Sequence, residues 1–524
     1  MAGILILVGA VSWVAVNRFY GFFSVVWDEA FLGCMARSIL DGELPSWRAY
    51  RGPWEFYSAV PFIRACADPV RALALHAYFW TTAGACAAAW LTHALSRRHL
   101  AALLCGLAVA VSPGIVMGAQ RGVVWSGVPL LPLCALALGT LVQASRGSRA
   151  AWLASCLLAG LSVGFAPQGM GFFAAWLTCV YWLRRELSPL LRGRSLAYGG
   201  LLLAVGPAPL VLERCILWRR TGELLLGSLS VTPMGVRNAD YASNLFERLV
   251  QWRDVWTIPR MPPPIWVRSA WQGGFAVCAV LQLWAAVSMR KGGGADRALF
   301  LPLYAVLCVL ALSPLTLASL RPEHLLYLLP LAFTAVAVTP SCWEGHRKPA
   351  SAAVLASLAA CVLGGLTSWR VVDRALRDPY SDKREGGARS RDLVFHAQWV
   401  LRQKPRSIFC LSRFPPSDIA FRYLTAGEPP SERPTVVPVD CMGLARLDGD
   451  DGKGPVFREA ADGDYLVHTR SPIGGCPQVT SRDLQAMAAA SGKSLVRKTK
   501  EVYPGGSMFH EIYRIGKKRV KGAP

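Results

Sequence analysis

Acidic residues are scarce in this sequence, with 33 aspartates and glutamates against 56 lysines and arginines. Charged residues of both signs make up only 17% of the 524 residues, whereas 53% are hydrophobic. So little charge in so apolar a chain excludes an ordinary soluble globule and predicts a polytopic membrane protein. The basic excess lies in short clusters between apolar runs, where orientation signals belong, so we expect no nucleic-acid partner.

The 15 cysteines also lack the spacing that is typical of metal ligands. Many of them lie inside apolar runs, where a thiol acts as a small hydrophobe. Cys34 with Cys66, or Cys441 with Cys476, could pair in an oxidising compartment, and the sequence leaves this open. The apolar start of the chain has no basic residue before it and therefore lacks the basic region of a signal peptide, so we expect an uncleaved first span. No internal repeat is present.

Long apolar runs predict about eleven membrane spans of ~20 residues each. They lie at 1–16, 72–95, 100–117, 122–143, 150–166, 169–183, 196–213, 270–289, 298–318, 324–340 and 350–368. Every second loop is basic: Arg97 and Arg98, Arg146 and Arg149, 184–194, 290–297, and Arg347 with Lys348. The positive-inside rule makes these loops cytoplasmic, although Arg214, Arg219 and Arg220 run against it. We therefore expect a multi-span domain at 1–369 in the inner membrane, with extracytoplasmic loops at about 17–71 and 215–269.

Two adjacent carboxylates, Asp28 and Glu29, stand where the chain leaves the first predicted span. From Asp28 onward, apolar residues at i, i+3, i+4 and i+7 predict an amphipathic helix on the membrane surface, with Asp28 as its N-cap. The apolar face comprises Phe31, Leu32, Met35, Ala36, Ile39 and Leu40, and the face expected toward water comprises Arg37, Asp41 and Glu43. A second amphipathic stretch, 245–252, predicts another surface helix.

The tail, 370–524, has a soluble composition and begins with a charged linker. Its patterns predict helices at 392–403, 418–424 and 483–490, and strands at 407–411, 435–439, 465–469, 495–503 and 508–515. This is a small extracytoplasmic α/β domain. The tail contains no glycine-rich phosphate loop, nucleophile elbow or paired metal ligands, so we interpret it as a lid, docking or stabilising module.

This organisation resembles the GT-C membrane glycosyltransferases, and within them the group similar to protein O-mannosyltransferases and the lipid A aminoarabinose transferase (family 39-like). The residues that carry the resemblance are Asp28, Glu29, Ala36, Gly42, Pro45, Tyr50, Pro53, Tyr57, Pro61, Phe62 and the late segment 321–333. Two departures stand out. Gly52 to Glu55 replaces a His-Pro-Pro element, and Gln120 with Arg121 occupies the place of a second acidic residue.

The resemblance implies transfer of a hexose or pentose from a polyprenyl phosphate donor to a hydroxyl acceptor, which could be a glycan, a lipid or a protein. Asp28 is then the candidate base, and Glu29 would orient the acceptor or help bind a divalent cation. Whether a metal is used stays open. The residues predicted to bind substrate are Arg48, Tyr50, Arg51, Glu55, Tyr57, Arg64, Arg121, Arg321 and His324. Their cationic members would stabilise the phosphate leaving group.

Each of these residues also has a simpler interpretation. Asp28 could be only a helix cap, and the arginines and His324 could be solvated or snorkelling at the membrane boundary. Aromatic residues such as Trp54 and Tyr57 are common in interfacial belts. Two other functions fit a chain of this kind: a transporter of a lipid-linked sugar, or a degenerate relative acting as an assembly subunit. Transporters often have ionisable groups at mid-membrane or broken helices, which the sequence does not indicate.

Overall fold

The computed structural model describes residues 1–20, 27–42, 53–120, 127–166, 168–221, 241–256, 265–292, 297–315, 322–342, 347–377, 399–412, 416–425, 433–440, 460–469, 479–502 and 508–517. The chain forms two compact units. The first comprises Met1–Tyr20, Pro45–Pro61 and Ala74–Ala375, and the second comprises Gly21–Leu44, Phe62–Leu73 and Leu376–Pro524.

The described part of the first unit is helical. Its helices are α1 (Ala2–Asn17), α3 (Pro53–Ala65), α4 (Pro69–Ser96), α5 (His99–Val111), α6 (Pro113–Gln120), α7 (Leu130–Ser145), α8 (Arg149–Phe165), α9 (Gly169–Trp182), α10 (Gly193–Val205), α11 (Ala208–Thr221), α12 (Tyr241–Val255), α13 (Ile265–Gly292), α14 (Leu301–Leu312), α15 (Leu329–Val338) and α16 (Arg347–Arg377). Three of them, α3, α4 and α16, also have residues in the second unit. Short 3-10 segments at Arg297–Phe300, Ser313–Leu315, Pro322–Leu328 and Thr339–Cys342 flank α14 and α15.

Two helical segments of the described chain are long and apolar enough to cross a membrane singly, His324–Cys342 and Ser351–Arg370. A third candidate is the pair α5 and α6, which bends by 47°. Six shorter apolar helices of 10–17 residues lie at other predicted spans. The polytopic membrane fold agrees with the sequence, while the number of spans stays a prediction.

Two predicted spans are broken, which the sequence interpretation did not anticipate. The helix at 100–117 stops at Val111 and restarts at Pro113, and the one at 196–213 is interrupted at Gly206 and Pro207. In both cases proline has no N–H for the helical ladder, and its ring clashes with the preceding turn.

Glycines let helices α8 and α10 approach closely. A Cβ atom at Gly160 would overlap the carbonyl oxygen of Leu203, and one at Gly164 would overlap that of Gly206. Gly160 and Gly164 are four residues apart on α8, which is the small-xxx-small pattern by which membrane helices bring their backbones together. Trp152 adds a hydrogen bond of 3.1 Å from its indole N–H to the carbonyl of Ser195.

The second unit contains a five-stranded sheet with the order β2-β1-β3-β5-β4. Its strands are β1 (Ser407–Ser412), β2 (Thr435–Asp440), β3 (Tyr465–Thr469), β4 (Lys493–Val502) and β5 (Met508–Lys517). Strand β1 pairs in parallel with β2 and β3, while β5 pairs antiparallel with β3 and β4. Helix α17 (Pro416–Thr425) lies in the β1–β2 connection, as a parallel pair requires, and α18 (Ser481–Ala490) precedes β4.

All five predicted strands of the tail and its helices at 418–424 and 483–490 are confirmed, with ends that differ by a few residues. The tail's core includes Phe409, Leu411, Leu466 and Ile515, which the period-2 pattern places on buried positions. Of the predicted helix at 392–403, only the part from 399 is described. Helix α16 runs to Arg377, so the change in composition at 370 precedes the end of the helix.

Candidate active site

Helix α2 (Trp27–Leu40) carries the two adjacent carboxylates, and it confirms that this stretch is helical. The helix begins at Trp27, so Asp28 lies in its first turn. The assignment of Asp28 as the N-cap was therefore wrong, because the helix begins one residue earlier than the apolar pattern. An acidic residue in the first turn still interacts favourably with the helix dipole. The side chain of Asp28 lies outside the described part of the structure.

The buried face of α2 differs from the predicted one. Glu29 is only 1% exposed, and Ala30, Leu32 and Ala36 are buried with it. Leu40, expected on the apolar face, is 39% exposed, and Arg37, expected in water, is half-buried. A buried carboxylate is costly unless polar neighbours compensate it. Glu29 is therefore held away from bulk water, which distinguishes it from an ordinary surface charge.

The first turn of α3 is anchored by Trp54. Its indole N–H donates to the carbonyl oxygen of Gly206 at 3.0 Å and to that of Val205 at 3.3 Å. These carbonyls lie at the interrupted end of α10, where the break removes their usual helical partners. A Cβ at Gly164 would lie 2.5 Å from the Trp54 ring, so glycine is needed for this contact. Trp54 thus has a structural role beyond that of an interfacial aromatic.

Glu55 follows Trp54 and is 4% exposed. Ser58, one turn later, donates to the Glu55 backbone carbonyl at 2.8 Å and lies 2.8 Å from Nε2 of His76 on α4. The indole of Trp80 donates to the same Nε2 at 3.0 Å. The sequence interpretation missed the buried His76 because it is a single polar residue inside an apolar run.

Gln120 lies where the resembling families have a second acidic residue, and it is fully buried. Its Oε1 accepts a hydrogen bond of 2.9 Å from the Tyr78 hydroxyl, and its Nε2 donates to the carbonyl of Val16 at 2.6 Å. A carboxylate could not donate to Val16. The amide therefore ties α6 to α1 and α4, and it does not fit the role of a metal ligand. Within the described ranges, no group of three or more His, Cys, Asp or Glu residues could hold a metal ion.

Helix α12 is the second predicted surface helix, and it places polar residues on its buried face. Arg248 is 2% exposed, and its Nη1 donates to Oε1 of Gln251 at 3.1 Å. Gln251 in turn donates to Glu247 at 3.0 Å. The apolar residues Phe246 and Leu249 are exposed, at 70% and 48%. The sequence interpretation did not select Arg248, because the face that a helix buries depends on its neighbours.

The remaining predicted residues are distributed as follows. Arg64 is exposed on α3, Tyr57 is 37% exposed on the same helix, and His324 is half-buried in the 3-10 segment before α15. Arg48, Tyr50, Arg51, Arg121 and Arg321, like the side chain of Asp28, lie outside the described residues. Their roles stay predictions.

The described chain has helical membrane segments and a small mixed sheet, which agree with the GT-C fold that the sequence resembles. The crystal structure of ArnT from Cupriavidus metallidurans in the apo state matches with a TM-score of 0.60 at 14% identity, over 98% of both chains. The structure of ArnT from Cupriavidus metallidurans bound to undecaprenyl phosphate matches with a TM-score of 0.59 at 12% identity, over 100% of this chain and 99% of that one.

An Archaeoglobus fulgidus oligosaccharyltransferase shows a weaker likeness, with a TM-score of 0.45 at 11% identity, over 97% of this chain and 73% of that one. No protein-family model matches the sequence, and neither does any curated protein. At such low identities the two ArnT structures establish the fold.

Proposed function

We propose that this protein is a membrane glycosyltransferase that moves a sugar from a polyprenyl phosphate donor to a hydroxyl acceptor on the extracytoplasmic face of the inner membrane. The observation that carries the proposal is the carboxylate pair at the start of α2, with Glu29 buried to 1% exposure, in a chain of the GT-C fold. The ArnT structure bound to undecaprenyl phosphate supports a polyprenyl lipid as the donor carrier.

The reaction needs a base near the acceptor. As the acceptor oxygen attacks the anomeric carbon, it loses its proton, and the bond between that carbon and the donor phosphate oxygen breaks with its electron pair. Asp28 is our candidate for the group that takes the proton. Glu29, being buried, has a restricted orientation and suits the task of holding the acceptor hydroxyl.

Negative charge develops on the departing phosphate, and cations stabilise it. The predicted cations Arg48, Arg51, Arg64, Arg121, Arg321 and His324 are our candidates for this role. Because both polar atoms of Gln120 are engaged, the proposed reaction includes no step through a metal ion.

Transport of a lipid-linked sugar is the second candidate function. The breaks at Pro113 and Gly206–Pro207 and the buried imidazole of His76 are features that transporters share. A third candidate, an assembly subunit without activity, is favoured by Gln120 in place of an acidic residue.

One experiment distinguishes the three candidates. Purified protein in sealed vesicles receives a polyprenyl phosphate sugar labelled on the sugar, together with hydroxyl acceptors. A transferase releases polyprenyl phosphate and labels the acceptor, whereas a transporter moves the intact donor to the opposite leaflet. An assembly subunit does neither. Labelled acceptor that depends on Asp28 supports the proposal, and intact donor after long incubation overturns it.

A further inference from the structure

Helix α2 has a gap in its side-chain surface at Gly33, and the ring of Tyr423 from α17 fills it. A Cβ atom at position 33 would lie 2.5 Å from Cδ2 and Cζ of Tyr423, and closer still to Cε2. Carbon atoms in contact lie about 3.5–4.0 Å apart. The ring therefore rests on bare backbone, and any residue other than glycine would displace it.

Tyr423 also holds a third segment. Its hydroxyl donates a hydrogen bond of 2.7 Å to the carbonyl oxygen of Pro69, the first residue of α4. The side chain is fully buried, and burial raises the pKa of the Tyr423 phenol, while the nearby charge of Arg37 opposes that rise. The phenol therefore stays protonated and keeps its donor. One side chain of the tail thus contacts α2 and fixes the start of α4.

The position of this contact on α2 matters for the carboxylates. Glu29 precedes Gly33 by four residues, so the two lie on the same face of the helix, and both are buried. The Tyr423 ring packed against Gly33 limits how far helix α2 can rotate about its axis or move away from the ring. Displacing reacting groups by about 1 Å can cost on the order of 10²-fold in rate.

We propose that Tyr423 is a positioning residue, through which the C-terminal tail sets the orientation of α2 and hence of Asp28 and Glu29. This rests on the proposed transferase function. The tail is then a part of the machinery that holds the carboxylates in place, in addition to any role as a lid.

The test is a double-mutant cycle in the full-length protein. Gly33→Ala should lower kcat about 10- to 100-fold with little change in the donor KM, because the methyl group displaces the ring and tilts α2. In a Tyr423→Ala background, where the ring is gone, the same methyl group should have almost no further effect. Gly200→Ala, on α10 with no atom within 4 Å of the new Cβ, is the matched control and should be silent.

Two further measurements separate positioning from mere stability. Turnover is normalised to the folded fraction from size-exclusion chromatography, so that a purely structural role leaves kcat unchanged. Tyr423→Phe keeps the ring and loses only the hydrogen bond to Pro69. This variant should fold, and its kcat should lie between those of the wild type and Tyr423→Ala. Hydrogen exchange of the α2 amides should rise in Gly33→Ala and Tyr423→Ala.

Additive effects of Gly33→Ala and Tyr423→Ala on the logarithm of kcat would overturn the proposal. A Gly33→Ala protein with the same kcat as Gly200→Ala would also overturn it. A wild-type protein that transfers no sugar overturns the proposed function and the positioning role with it. The contact itself would in that case still be judged by hydrogen exchange of α2, which needs no activity.

Discussion

The carboxylate of Glu511 accepts a hydrogen bond of 2.6 Å from the hydroxyl of Tyr513, two residues further along the same strand. Ser481 donates to the same oxygen at 2.7 Å, and Nδ1 of His468 lies 3.4 Å from it. Burial by itself raises the pKa of Glu511, but these hydrogen bonds outweigh burial and lower the pKa from 4.5 to about 2. A carboxylate buried inside a sheet is thus kept ionised by its neighbours.

The first prediction is the pH dependence that follows from this shift. A carboxyl group whose pKa is lower in the folded state stabilises the fold above its unfolded pKa, and the stabilisation is lost as pH falls through the folded value. The loss should therefore occur between about pH 4.5 and 2 and amount to about 3 kcal/mol at most. Thermal unfolding of the detergent-solubilised protein should show it. The Glu511→Gln protein should be less stable than the wild type at pH 6, and its stability should vary less with pH. A pH profile of stability like that of the wild type would contradict the lowered pKa of Glu511.

The second prediction concerns Asp28. Asp28→Asn should lower turnover roughly 10²- to 10⁴-fold, because the amide cannot accept the acceptor's proton. Loss of a first-turn charge costs only about 0.3–1 kcal/mol of helix stability, so expression and folding should be normal. Asp41→Asn, at the exposed residue directly after α2, is the control. If Asp28→Asn transfers sugar at the wild-type rate, the base must be sought at Glu29 or Glu55.

The third prediction concerns Arg248. Arg248→Gln should lower the free energy of unfolding by about 1.5–3 kcal/mol, because it removes the charged hydrogen bond that the buried guanidinium donates to Gln251. Arg253→Gln changes an arginine of the same helix whose side chain is 51% exposed, and it should have little effect. Equal melting temperatures of the two variants would contradict this structural role of Arg248 in α12.

The fourth prediction concerns Gln120. Gln120→Glu restores an acidic residue but places a carboxylate oxygen against the carbonyl of Val16, so we expect a loss of about 1–3 kcal/mol in stability. We also expect no new dependence of transfer on Mg²⁺ or Mn²⁺. Melting temperature and metal titrations measure these two outcomes. Gln485→Glu, on the exposed side of α18, is the control. Metal-stimulated transfer by Gln120→Glu would contradict the interpretation that Gln120 serves only to tie α6 to α1 and α4.

The sequence alone determined the elements whose signals are local. Helix α2 and the five strands of the tail follow from apolar periods of 3.6 and 2 residues, which any short window displays. The carboxylate pair and the segment 321–333 carried the resemblance to the GT-C fold, which the structural likeness confirms. Residue type and spacing were sufficient for these conclusions, because each of these features is encoded within a short stretch of sequence.

Tertiary structure decided what depends on distant partners. Burial of Glu29, the engagement of Gln120 by Tyr78 and Val16, and the buried face of α12 are set by elements far away in the chain. The contact between the Tyr423 ring and the backbone of Gly33 joins residues that are hundreds of positions apart in the sequence, so no local pattern could indicate it. A helix shows in its own sequence that it will form and which residues share a face, but the neighbours that pack against it decide which of those faces is buried.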